Sequence, residues 1–154
     1  MGEKSIGNHG RVTLVGFGPG DPDLLTIKGY KSLEHADVIF YDDLTNESFL
    51  SQFEADKVYV GKRNGRHSHD QSEINELLYQ SAALGNDVVR LKGGDPMLFS
   101  HGREEVDFLR SRGVDVDIVP DVSSGNALAS LLQIPLTHRG VARCVAMVLG
   151  HSDK

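Results

Sequence analysis

Five short apolar runs punctuate the chain, at 12–15, 38–41, 57–60, 88–91 and 116–119. Each is rich in β-branched residues and shows little polar alternation. That is the pattern of strands covered on both faces of a parallel sheet. Between the runs, apolar residues recur at helical spacing. The stretch 23–35 carries Leu24, Leu25, Tyr30 and Leu33, and 70–84 carries Ile74, Leu77, Leu78 and Ala82, with Gly85 placed to stop it. The stretch 103–112 carries Val106, Phe108 and Leu109 ahead of Gly113, and 123–132 is small and apolar. This alternation predicts an α/β fold, with a mostly parallel five-stranded sheet flanked by helices. A further apolar run around Cys144 reads as the beginning of another strand, with Cys144 as a small hydrophobe inside it.

In such sheets ligands bind beyond the carboxyl ends of the strands. The unusual segments of this sequence all fall there. "GFGPGD" follows the first run, "DDLT" the second, "GKRNGRHSHD" the third, "KGGDP" the fourth and "PDVSSG" the fifth. Gly16, Gly18 and Gly20 let backbone and ligand approach closely. A dinucleotide fingerprint is one reading, since Asp42 ends the second strand at the right distance. Two residues oppose it. Pro19 removes a backbone N–H where a pyrophosphate needs donors, and Asp21 stands where the third glycine belongs. Asp21 is better placed as an N-cap, with Pro22 at the first helical position. The loop suits a ligand without phosphate. Gly93 and Gly94 bring bare backbone to a second strand end, and Asp95 can accept hydrogen bonds from hydroxyl or ammonium groups. Lys62, Arg63, Arg66 and His67 form a cationic loop fit for a polycarboxylate, or a solvated charged turn. His67 and His69 lack the partner spacing of a metal site.

Composition narrows the classes. The 154 residues suffice for one core-bearing domain, and the formal net charge of -6 argues against general nucleic-acid binding. Cys144 is the single cysteine, so no internal disulfide forms. No apolar run approaches the ~20 residues a membrane helix needs, and residues 1–10 read as a polar, disordered lead-in. The expected location is the cytoplasm, with neither membrane nor nucleic acid as partner.

The segments "VTLVGFGPGDPDLLTIKG", "ADVIFYDDL", "VYVGKR", "VVRLKGGDP" and "IPLTHR" occur in one order. Together they closely resemble the uroporphyrinogen-III C-methyltransferases of the tetrapyrrole methylase family. The resemblance runs over residues 11–150. It implies the first α/β domain of the tetrapyrrole methylase fold, with 151–154 starting a linker to a second domain that the chain lacks. It implies transfer of methyl groups from S-adenosyl-L-methionine to uroporphyrinogen III, giving precorrin-2 for sirohaem and cobalamin, and S-adenosyl-L-homocysteine as by-product. No metal is implied, and the usual assembly is a homodimer. By matching positions, Pro19, Gly93, Gly94, Asp95, Leu98, Ser123 and Ser124 are cofactor-binding. Asp42 matches a proton acceptor and Lys62 a proton donor. Arg63 and Arg139 are candidate contacts for substrate carboxylates, Arg139 equally a structural pair. Two departures stand out: Asp121 occupies a position that is usually glycine, and His101 one that is usually arginine. A non-catalytic module that binds tetrapyrrole or a partner domain is the alternative reading.

Overall fold

The computed structural model describes residues 9–61 and 70–150. The five expected strands form: β1 (Arg11–Gly16), β2 (Val38–Tyr41), β3 (Asp56–Tyr59), β4 (Val88–Lys92) and β5 (Asp115–Val119). They pair in parallel in the order β3-β2-β4-β1-β5. Strands β1 and β4 lie at the centre, in register from Val12 opposite Val88 to Gly16 opposite Lys92. The expectation of burial on both faces holds for β2 and β4 and fails for β3, whose Asp56 and Lys57 are exposed. β3 is an edge strand, where charged residues also discourage pairing with other chains.

Helices cover both faces. Val12, Leu14, Val38, Phe40 and Val88 pack against Ile74 and Leu78 of α3 (Gln71–Ala83) and Leu109 of α4 (Gly102–Ser111). Val15, Ile39, Tyr41 and Leu91 pack against Leu33 of α1 (Ile27–Glu34) and Leu50 of α2 (Glu47–Leu50). Alternate residues of each strand thus enter separate cores. The last helix, α5 (Ser124–Leu131), buries only Ala127.

Local chemistry explains the helix ends. Asp70 accepts from Glu73 N–H and Glu73 reaches back to the Asp70 N–H, a complete capping box for α3. Gly85 stops that helix at φ +86. Asp21 does cap a helical turn, with Pro22 inside it, but that 3-10 turn ends at Leu24. The expected helix at 23–35 is therefore two pieces. Thr26, whose hydroxyl accepts from Gly29 N–H, starts α1 afresh. The single turn α2 was not anticipated, since four residues are too short for a periodic signal. A second correction concerns the run around Cys144. Residues 143–149 form no strand, and Cys144 is exposed. An apolar run becomes a strand only where a neighbouring strand satisfies its N–H and C=O groups. None does so among the described residues.

Candidate active site

The chain leaves β1 through α1 toward β2 on one side of the sheet. It leaves β4 through α4 toward β5 on the other. β1 and β4 are neighbours, so a crevice opens beyond their carboxyl ends. There Gly18 and Gly94 meet in an isolated bridge: Gly94 N–H donates to Gly18 O at 2.7 Å and Gly18 N–H to Gly94 O at 3.3 Å. Both adopt left-handed backbone, φ +63 and +66, which side chains disfavour. A Cβ on Gly94 would meet no atom within 4 Å, so that face of the loop is open.

The opening is a cavity of about 290 Å³ lined by Gly18, Pro19, Leu44, Gly93, Gly94, Asp95, Leu98, Phe99, Ser123 and Ser124. All seven residues expected to hold a cofactor line it. Leu44, Leu98 and Phe99 form an apolar rim. Asp95 is partly committed to structure: Oδ1 accepts from Met97 N–H at 2.8 Å and Oδ2 from Asp121 N–H at 3.2 Å. Ser123 is buried at the N-cap of α5, and its hydroxyl makes no capping bond. No lysine, arginine or histidine lines this cavity among the described residues. Among these residues a phosphate would meet a carboxylate and no cation.

Asp121 closes the crevice from the β5 side. Its carboxylate accepts from Val122 N–H at 2.6 Å and Thr26 N–H at 3.3 Å. It does not occupy left-handed backbone, which among non-glycine described residues is confined to Phe99 and Gln133. An aspartate at this usual glycine position therefore carries no such strain.

Asp42 ends β2 beside this cavity. Its Oδ1 accepts from Leu44 N–H at 3.2 Å, in a turn that carries Leu44 to the cavity wall. Its Oδ2 accepts from Arg90 Nη2 at 3.1 Å. The carboxylate keeps acceptor capacity for a ligand, since an ionised carboxylate offers about four lone-pair sites. Behind it, Lys92 Nζ donates to both oxygens of Glu105 at 3.0 Å. Burial pushes the Lys92 ammonium below its usual pKa, against the opposing pull of Glu105.

Among the remaining expected residues, only Arg139 falls within the described part of the chain, and it does not line this cavity. Lys62, Arg63, Arg66, His67 and His69 lie outside the described residues. Arg139 is exposed in a turn closed by His138 and Ala142. Arg103 is also exposed and pairs with Asp107 at 2.6 Å, and His101 faces Glu104 at 3.2 Å. Sequence reasoning missed Leu44 and Phe99 in the wall, and Arg90, Lys92 and Glu105 beneath Asp42. The signal for the last group was present: two cations, at alternate positions, in an otherwise apolar strand.

A glycine-lined crevice at the switch point of a parallel sheet, with no lysine, arginine or histidine in its lining among the described residues, defines an α/β domain with a ligand crevice at its strand ends. Residues 11–154 match the family Tetrapyrrole (Corrin/Porphyrin) Methylases, and the chain belongs to that family. It is 46% identical over 144 residues to "Uroporphyrinogen-III C-methyltransferase" of Methanocaldococcus jannaschii, covering 92% of this chain and 60% of that protein. It is 48% identical over 147 residues to the protein of that name in Bacillus subtilis, covering 94% and 57%. The crystal structure of uroporphyrin-III C-methyl transferase from Thermus thermophilus complexed with S-adenyl homocysteine superposes with TM-score 0.74 at 52% identity, over 88% of this chain and 57% of that one. The chain thus spans little more than half the length of these relatives.

Proposed function

We propose that this chain forms the S-adenosyl-L-methionine-binding domain of a uroporphyrinogen-III C-methyltransferase, acting on the route to precorrin-2. The observation that carries this reading is that one cavity is lined by Pro19, Gly93, Gly94, Asp95, Leu98, Ser123 and Ser124, with no cation in its lining among the described residues. Such a lining suits a nucleoside with cationic amino acid and sulfonium groups. When bound, S-adenosyl-L-methionine supplies an electrophilic methyl group on positively charged sulfur, and S-adenosyl-L-homocysteine remains after transfer.

Each residue has a task within this reading. Gly18, Gly93 and Gly94 admit the ligand to the backbone. Asp95, Ser123 and Ser124 orient its polar groups, while Leu44, Leu98 and Phe99 exclude water. Asp42 accepts a proton or a hydrogen bond from pyrrole N–H groups of the tetrapyrrole. Lys62 donates a proton or, with Arg63 and Arg139, pairs with substrate carboxylates. The reading includes a homodimer and the cytoplasm. For the first, exposed Leu131, Leu132, Ile134 and Val148 offer apolar surface to a second copy. For the second, a single cysteine suits a reducing compartment.

The test is calorimetry of this chain with S-adenosyl-L-homocysteine. Micromolar binding that weakens on the order of tenfold in Gly94→Ala, whose Cβ would project into the open side of the loop, supports the cavity assignment. Wild-type affinity in that variant would move the ligand elsewhere. If the chain binds uroporphyrin but not S-adenosyl-L-homocysteine, it is a tetrapyrrole-binding or assembly module instead.

A further inference from the structure

Arg90 and Lys92 point from β4 into the face covered by α3 and α4, where apolar side chains are the rule. Both are buried, and Glu105 in the first turn of α4 is fully so. Glu105 holds Lys92 Nζ at 3.0 Å and accepts from Gln71 Nε2 at 3.1 Å, while Arg90 Nε lies 3.6 Å from it. One buried carboxylate therefore faces two buried cations. An excess buried charge is costly unless a further anion balances it. Arg90 finds that anion at the site. Its Nη1 donates to Leu91 O at 2.7 Å and its Nη2 to Asp42 Oδ2 at 3.1 Å.

The four groups differ in access. The side chains of Arg90, Lys92 and Glu105 are 5%, 7% and 0% exposed, and that of Asp42 is 22% exposed. Asp42 is the member that reaches the solvent side. Arg90 is held by a hydrogen bond to the Leu91 carbonyl and by an ion pair, without a hydrogen bond, to Glu105, so its other arm presents a fixed donor to one oxygen of Asp42. Leu44 N–H fixes the other oxygen.

We propose that Arg90 is the positioning residue for Asp42, and that Glu105 braces Arg90 for that task. The arrangement aims the remaining lone pairs of Asp42 at the substrate and stops the carboxylate from turning inward. This rests on the reading of Asp42 as the group that meets the tetrapyrrole.

A double-mutant cycle tests it: Asp42→Asn, Arg90→Gln, Arg90→Lys and the paired variants, read by methyl transfer in the intact enzyme and by urea unfolding. In Arg90→Gln, kcat falls on the order of 100-fold, the loss expected when a reacting group is misplaced, with KM for S-adenosyl-L-methionine unchanged. Arg90→Lys recovers about tenfold of that loss, because it keeps the charge but cannot span both the Leu91 carbonyl and Asp42. Neither Arg90 change lowers turnover further once Asp42 is Asn. Equal losses with and without Asp42 would make Arg90 a stabilising residue and overturn the proposal. Full turnover in Arg90→Gln or Arg90→Lys, with Asp42→Asn impaired, would overturn it while sparing the reading of Asp42. Full turnover in Asp42→Asn would remove that reading and this one together. Where Arg90→Gln does not fold, the charge-conserving Arg90→Lys carries the cycle.

Discussion

Asp121 shows how much one side chain can tie together at the crevice. It links the loop after β5 to Thr26 through its carboxylate and to Asp95 through its N–H. Its Cβ also lies so near Gly16 that a Cβ there would come within 2.5 Å. Burial raises the Asp121 carboxyl pKa and the nearby Asp95 charge adds to this, against hydrogen bonds from Val122 and Thr26 that lower it. The folded chain therefore keeps this proton to higher pH than the unfolded chain, whose aspartates titrate near pH 3.9. The stability linked to this group is highest below about pH 4 and falls as pH rises through the raised folded value. Thermal melts from about pH 4 to pH 7 should show a shallower decline in Asp121→Asn than in the wild type. Parallel declines would mean that Asp121 titrates alike in both states. None of this was legible beforehand, because the partners of Asp121 come from three distant segments. The sequence marked the position as unusual and no more. For Pro19, Gly93, Gly94 and Asp95 the reverse held: their types and spacing marked them, and the fold brings them to one cavity.

At the scale of elements, local signals worked where they were complete. The capping box of α3, Gly85 and Gly113 lie within a few residues of the ends they define. They failed where length or tertiary contact decided. The one-turn α2 has no periodicity to read, and the break between Leu24 and Ile27 follows from two successive caps, Asp21 and Thr26. The start of α4 depends on a contact as well as a local bond: His101 makes no side-chain capping bond, while the Ser100 hydroxyl accepts from Gly102 N–H at 3.2 Å. Gly102 sits so close to the Pro96 carbonyl that a Cβ would approach its oxygen to 2.0 Å. Gly102→Ala should therefore cost about 3 kcal/mol in urea unfolding, the upper range for overpacking. A loss below about 1 kcal/mol would show that the loop from Asp95 yields freely. Because that loop lines the cavity, the same variant links helix packing to site geometry.

Across the whole molecule, the two cores flank the central strands, and the segment after β5 stands apart from both. Leu128, Leu131, Leu132, Ile134, Leu136, Val145, Met147, Val148 and Leu149 are all exposed. Of these, Ile134, Leu136, Val145 and Met147 line a groove of about 770 Å³ between α5 and the stretch near Met147. Contiguous apolar surface of this kind drives association. Sedimentation should accordingly show a weight-average mass that rises with concentration, above the 16.8 kDa of one chain. A constant 16.8 kDa would count against the dimer. The sequence by itself determined the strands, most of the helices, their parallel order of use and the glycine-rich loops, because these follow from periodicity, caps and φ preferences within a few residues. Only the tertiary structure decided that β1 and β4 are neighbours, that seven dispersed residues share one cavity, and that Asp42 rests on Arg90. Those facts depend on how the crossovers fold over the sheet and on where buried charges find their counter-charges, and both are set by packing between segments far apart in the chain.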